Sequence, residues 1–366
     1  MSVTETVFDR QAMKEEIAAA VQRVIDREDF ILGEDVARFE AEAAEYLGVK
    51  HAVGLNSGTD AFRISLAAIG IKPGDEVILP PFCFISDAAA VVLEGGTPVF
   101  ADIDPGTCNL DVRRIEEKIT PRTRAIIPAH MYGVPVDMDP LLALVRDRNL
   151  VLIEDACQAF GATYRGKKAG SFGDFAGFSF YPTKPIGCYG DAGLVVTSRD
   201  EYAERIRMVR NHGSRKRYYH EFIGFSSRLD TIQAAVLRVE LKYFEQRLVR
   251  LESLKRLYDE QLAGITAITL PPRQAHIRTG CTHYTIRASR RDALAAALGE
   301  AGIQCGIFYP LSIHLQKAFA HLGHKRGDFP ESERAQAEVL SLPFSVETGE
   351  EEIMKVCGAV RAFFTG

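Results

Sequence analysis

Apolar positions recur with a helical period over residues 11–27 and again over 34–47. A spacing of three to four residues lines one face of a helix, so both stretches read as amphipathic helices. From Val53 the pattern changes. Short apolar runs of strand length, at 53–55, 76–80, 98–101, 125–128, 150–154, 175–180 and 193–197, alternate with helical stretches that end at Ile69 or span 83–94, 111–118, 137–148 and 200–210. Short apolar strands alternating with helices predict an α/β fold with a mostly parallel sheet. After about residue 225 the texture shifts again. Residues 230–262 form one long helical pattern between Gly224 and Gly264. Short strands follow from 280, then a helix at 291–301, the segment Gly306-Ile307-Phe308-Tyr309-Pro310, and helices near 330–338 and 349–363. The expected organisation is a large domain over 1–240 and a smaller C-terminal α+β domain over 241–366, divided within the long helix.

Composition narrows the class. The chain has 366 residues, 46% hydrophobic and 25% charged, with a formal net charge of −5. That balance lacks the basic footprint of a nucleic-acid binder. The 7 cysteines are scattered, odd in number and never spaced as CxxC. They read as reduced thiols of a cytoplasmic protein, not as a disulfide framework or a zinc site, and no metal is expected. The N-terminus, MSVTETVFDRQAMKEE, is polar and charged and does not read as a secretory signal. No apolar run reaches the length of a membrane span.

Four segments carry candidate chemistry. Asn56-Ser57-Gly58-Thr59-Asp60 lies between a strand and a helix. Free N–H groups at a helix start suit a phosphate, although for this turn taken alone simple capping by Ser57 or Thr59 is the better account. Val151–Gln158 is a buried strand ending in Glu154 and Asp155. In open α/β sheets ligands gather at such strand ends, and Asp155 there is placed to hold a protonated ring nitrogen, with Gln158 one turn on. Helix capping by the two acids is the plain alternative. Pro80-Pro81-Phe82-Cys83-Phe84 follows another strand, where an aromatic ring serves either to stack on a planar ligand or to pack in the core. Lys184 sits between Ser179 and Pro185, followed by Gly187, Gly190 and Gly193. Proline disfavours helix at the residue before it, so the lysine is presented on extended or turn backbone. A lysine so placed suits a Schiff base with a carbonyl cofactor, although most lysines are solvated surface charges. Together the four segments supply what pyridoxal 5′-phosphate requires.

The segments SGTD, EDACQAFGA, GDFAGFSFYPTKPIGCYGDAG and RNHG…SSRLDTIQAA, with FILGEDVARFE near the start and YPLSIHLQ and VLSLPF near the end, resemble the DegT/StrS group of PLP-dependent sugar aminotransferases. The resemblance runs over nearly the whole chain. It implies the aspartate aminotransferase fold, fold type I, with a large PLP domain built on a seven-stranded-type sheet flanked by helices. It also implies a role for each matching residue. Lys184 would bond the cofactor and act as catalytic base. Asp155 would pair with the pyridine nitrogen, and Gln158 would meet the ring hydroxyl. Phe84 would stack on the ring, and Gly58, Thr59, Asp60 and Ser179 would bind the phosphate. Family members are homodimers that lend each other residues through a GxNxR segment. Here that segment reads Gly224-Phe225-Ser226-Ser227-Arg228, so Ser226 stands in the asparagine's place. Phe160 and Phe308 stand where the family often has histidine near the substrate pocket.

Arg228, Tyr309 and His314 are further substrate-side candidates, and the basic-aromatic stretch 214–220 is either a clamp for a nucleotide diphosphate or a solvated loop. The implied reaction is ping-pong transfer from L-glutamate to a nucleotide-linked ketosugar, at a 3-keto rather than a 4-keto position. A cyclitol or polyol ketone, a dehydratase relative and a non-enzymatic regulator are the alternatives. In the related dehydratases histidine replaces the lysine, so Lys184 points to amino transfer.

Overall fold

The structure, a computed structural model, describes residues 9–365. The polar segment read as carrying no leader begins outside the described residues, in 1–8. Seven strands form the main sheet, in the order His51–Leu55, Gly193–Thr197, Phe175–Ser179, Val151–Asp155, Thr123–Ile126, Glu76–Leu79 and Thr97–Phe100. The Gly193–Thr197 strand runs antiparallel to both neighbours, and every other pairing is parallel. Parallel strands need a crossover, whereas an antiparallel partner can be reached directly. The chain from Ser179 to Gly193 returns without a helix, and that direct return carries Lys184.

Helices Gly58–Ala68, Ser86–Leu93, Met138–Arg148 and Asp200–Val209 connect or cover the strands. Both faces of the sheet are therefore dry. Val53, Phe62, Leu79 and Ile127 fill one side, and Phe39, Phe178, Phe180 and Leu194 fill the other. The first two helices, Arg10–Arg27 and Glu34–Leu47, lie against the long helix Thr231–Leu262.

That helix serves two cores. Leu237, Phe244, Leu248 and Leu251 pack with the sheet, whereas Leu254, Tyr258 and Leu262 pack with the C-terminal unit. The changeover between Leu251 and Leu254 comes after the expected division at 240/241, because the helix's first five turns bury apolar side chains on the large unit. The C-terminal unit is an antiparallel sheet of Ile268–Thr269, Tyr284–Ala288 and Val339–Leu342, backed by helices Arg291–Glu300 and Glu350–Thr365.

Two local expectations change. The helix expected over 111–118 is a pair of tight turns, Val112–Arg114 and Glu116–Lys118. Asp111 draws the Arg113 N–H to its own side chain at 3.0 Å, and Ile115 alone is fully buried, so too little apolar surface is covered to sustain an α-helix. The basic stretch forms a small hairpin, Ser214–Lys216 against Tyr219–His220, with Tyr218 turning at φ 69°. No helix among the described residues is long and apolar enough to cross a membrane, and no group of three His, Cys, Asp or Glu among them is placed to hold a metal.

Candidate active site

The phosphate-type turn is built where three backbone segments meet. The first strand ends at Leu55, and Ser57, in extended conformation, caps the next helix by accepting the Asp60 N–H at 3.2 Å. The Gly58 and Thr59 N–H groups open that helix, where no helical acceptor exists for them. A Cβ on Gly58 would lie 2.6 Å from the Ser179 Cβ, so glycine is what lets the Ser179 strand end approach. Gly193, opposite, faces the Ser57 backbone, where a Cβ would lie 2.1 Å from the carbonyl oxygen. Ser227 is fully buried and donates its hydroxyl to Asn56 Oδ1 at 2.9 Å, which ties the Gly224–Arg228 segment to the same turn. Asp60 is the exception among the expected phosphate residues. Its N–H goes to Ser57 and its carboxylate to Arg63 at 3.4 Å, one helical turn on. The Asp60 side chain is thus turned to Arg63 in this structure.

The acidic wall lies at the neighbouring strand ends. Successive strand residues face opposite ways, so Glu154 and Asp155 part. Glu154 accepts from Gly170, Phe172 and Gly173 N–H at 2.7–2.8 Å and from His130 Nε2 at 3.0 Å. The Val136 N–H donates to His130 Nδ1 at 3.1 Å, which leaves the imidazole proton on the Glu154 side. Glu154 thus anchors the loop after its strand. Asp155 faces the site, 7% exposed, and accepts the Cys157 N–H at 2.9 Å. Beside it stands Asp87, fully buried in the first turn of Ser86–Leu93. Among the described residues neither acid pairs with a lysine, arginine or histidine.

Gln158 is clamped. Its Oε1 accepts the Tyr132 N–H at 2.7 Å and its Nε2 donates to the Tyr309 hydroxyl at 3.3 Å. Tyr132 in turn donates its hydroxyl to the Phe308 carbonyl. Phe84 is half-exposed with its ring 5.8 Å from that of Tyr309, so it presents an open aromatic face and is not packed in the core. Burial pushes the Tyr309 hydroxyl well above its usual range, and the nearby Asp155 charge adds to this.

Lys184 completes the ring of groups. Its N–H bonds the Tyr181 carbonyl at 2.8 Å and closes the turn that the Lys184-Pro185 pair predicts. Its charge is felt at two places. It opposes the rise that burial imposes on the Cys157 thiol, and it adds to the burial that lowers His283 to about 4. His283 packs 4.7 Å from Phe308 and 6.1 Å from Tyr132, ring centre to ring centre, and its Nδ1 is closed off without a partner.

The remaining expectations resolve differently. Ser226 is exposed and bonds Arg228 Nη2 at 2.9 Å, and the other arm of Arg228 meets Asn211 at 3.1 Å. Ser226 and Arg228 are thus tied to each other at the edge of the segment. His314, expected on the substrate side, has a fully buried side chain that meets Glu333 at 3.2 Å and packs edge-on to Phe329 at 4.8 Å, so it belongs to the interior. Phe160 is likewise no pocket residue. It stacks on Tyr46 at 5.1 Å and meets Phe178, Phe180 and Phe244 edge-on, inside the core. Phe308 does border the site. Asp87, Tyr132 and His283 escape a reading by strand ends. An acid at the head of the apolar run Ala88–Leu93 was the available signal for Asp87, whereas nothing in the sequence marks Tyr132 or His283.

A lysine, an open-faced phenylalanine, an uncompensated carboxylate and a bare helix start share one rim of the sheet. Residues 11–361 match the DegT/DnrJ/EryC1/StrS aminotransferase family. The chain belongs to this family. Among its relatives, this aminotransferase is 43% identical to a pleiotropic regulatory protein of Geobacillus stearothermophilus, covering 97% of this chain and 96% of that one. It is 42% identical to the dTDP-3-amino-3,4,6-trideoxy-alpha-D-glucose transaminase of Streptomyces venezuelae, covering 96% and 93%. The S. venezuelae DesV structure, in complex with a ketimine intermediate, superposes at a TM-score of 0.95 with 42% identity, covering 97% and 96%. The family is PLP-dependent. The residues of this aminotransferase fit that cofactor: among the described residues Asp155 pairs with no lysine, arginine or histidine, and the Gly58 cradle closes if a Cβ is added.

Proposed function

We propose that this aminotransferase moves an amino group from L-glutamate to a nucleotide-linked sugar bearing a 3-ketone, with PLP held by the residues above. The observation that carries the reading is the meeting of Lys184, Asp155 and the Gly58–Thr59 helix start on one sheet rim. The 3-position follows the relative named for a 3-amino sugar. When bound, PLP supplies a carbonyl carbon that amines condense with and a ring that takes up electrons from the donor's α-carbon.

The chain's own groups do the rest. Gly58 and Thr59 N–H, with the helix dipole, hold the phosphate dianion, and Ser179 Oγ stands beside them. Asp155, already steadied by the Cys157 N–H, accepts the ring N–H. Gln158 has its carbonyl fixed by Tyr132 and one amide N–H given to Tyr309, so its second amide N–H would be the donor left for the ring hydroxyl. Phe84, half-exposed beside Tyr309, would lie against one ring face. Lys184 Nζ would be the group that bonds the cofactor's carbonyl carbon and that carries the proton between the donor's α-carbon and that carbon. The 3-ketone substrate then draws on the reverse sequence, so donor and acceptor occupy the site in turn.

A homodimer completes the reading. Phe30, Ile31 and Leu32 are 43%, 56% and 37% exposed, and Ile31 pairs with Asp230 at the start of the long helix, near exposed Tyr189. A surface of this kind is suited to a second copy, and Ser226 and Arg228 are then free to serve the neighbour's site. The test is single-turnover reaction of the pyridoxamine-loaded protein with nucleotide-linked 3-keto and 4-keto sugars, followed by the return of the yellow absorbance. Faster return with the 3-keto compound is expected, and no return with any ketosugar overturns the proposal. The regulatory name of one relative favours a second reading, in which the loaded protein binds a sugar ligand without turning it over; the same experiment separates the two.

A further inference from the structure

Asp87 has no place in the reading so far, and its setting demands one. It is fully buried, Ser86 Oγ donates to its Oδ1 at 3.2 Å, and its Oδ2 receives no donor. The groups that face it are Asp155 at the end of its strand, Cys83 in the loop before its helix, Cys157 after the Asp155 strand and Tyr309 from the C-terminal unit. None is a cation. Among the described residues the start of Asp87's own helix is the positive influence in direct contact with it, and the Lys184 charge is felt beyond, at Cys157. Two carboxylates side by side in a dry site cannot both stay ionised. Asp155 has the Cys157 backbone N–H and thiol to stabilise its charge, whereas Asp87 has only the weak Cys83 thiol donor and the Ser86 hydroxyl at longer range. The proton therefore falls to Asp87, and the bare Oδ2 is where it sits.

Resting on the PLP reading above, we propose that Asp87 is a positioning residue for the pyridine end of the cofactor: a neutral carboxylic acid that donates its single O–H to the Asp155 carboxylate. The burial of Asp87, and next the Asp155 charge, hold its carboxyl well above the usual carboxylate range, in agreement. The consequence is twofold. The pair carries one negative charge in place of two, so the apoprotein does not bury a repelling couple. The Asp155 carboxylate is also fixed in plane by Cys157 N–H on one side and Asp87 O–H on the other, aimed at the ring nitrogen.

The test uses the full chain as wild type, Asp87→Asn and Asp87→Ala. Asparagine keeps an N–H donor for Asp155 and alanine does not. Wild type and Asp87→Asn are expected to bind PLP within about 2-fold of each other, and Asp87→Ala about 10-fold or more weakly, as befits a lost hydrogen bond to a charged group. In the apoprotein, infrared spectra at neutral pH are expected to show a protonated-carboxyl C=O band that both variants lack. The proposal is overturned if Asp87→Asn binds as weakly as Asp87→Ala, if Asp87→Ala binds like wild type, or if the apoprotein shows no such band. The infrared result stands even if wild type fails to bind PLP, which would overturn the cofactor reading instead.

Discussion

Gln158 Nε2 donates to the Tyr309 hydroxyl at 3.3 Å and joins the turn after a main-sheet strand to the C-terminal segment. The two lie far apart in the chain, and the Tyr132 hydroxyl makes a second tie to the Phe308 carbonyl beside them. The rim is therefore assembled from both units. Gln158→Ala and Tyr309→Phe are expected to be non-additive in cofactor affinity, with a coupling of about 0.5–3 kcal/mol in a double-mutant cycle. Strictly additive effects would show that the bond is idle.

Lys184→Ala removes the amine that bonds the cofactor and carries the proton. Loss of the yellow absorbance and a fall in turnover of at least about 10²–10⁴-fold are expected, the range that general acid–base catalysis commands. Visible spectra and steady-state rates check both. Retention of full activity would remove Lys184 from the mechanism.

Gly58→Ala places a Cβ 2.6 Å from the Ser179 Cβ. PLP affinity and melting temperature should both fall. Ser179→Gly in the same chain removes the opposing carbon, so the double variant should regain part of the lost melting temperature. Calorimetry of the three proteins decides this, and an unchanged Gly58→Ala protein would refute the close approach.

His283 is lowered to about 4, by burial first and by the Lys184 charge second, against an ordinary value of 6.5. The unfolded chain takes up a proton as pH falls through 6.5, and the folded chain refuses it until about 4. Stability from this group is therefore complete above 6.5 and is lost as pH falls towards 4. Urea titrations across that window should show a shallower decline for His283→Gln than for wild type. Parallel curves would place His283 in water.

Phe160→Ala should cost about 3–5 kcal/mol in denaturant unfolding, the usual loss for a buried phenylalanine, and leave substrate KM unchanged among the molecules that remain folded. A raised KM with unaltered stability would return Phe160 to the pocket.

The alternation of strands and helices, the Asp155 strand end and the Lys184 return were legible because each is local. Period, a turn and a proline speak through neighbouring residues. Phe160, His314 and Asp60 were not, because their roles depend on partners: Tyr46 stacks on the first, Glu333 bonds the second and Arg63 engages the third. Sequence spacing brought Phe160 and His314 close to functional motifs, but side-chain direction turned them into the core. Asp87 shows the converse. It reads as an ordinary first-turn acid, and only the strand order brings Asp155 beside it.

The helix Thr231–Leu262 runs 32 residues without a glycine or a proline. At 1.5 Å per residue it is a rod of about 48 Å. One end is embedded in the sheet core and the other in the C-terminal core. It offers no joint. Any swing of the C-terminal unit over an arriving sugar must flex the rod as a whole or slide that unit along the rod's own Leu254 and Tyr258, so Tyr309 travels on a lever and not on a hinge.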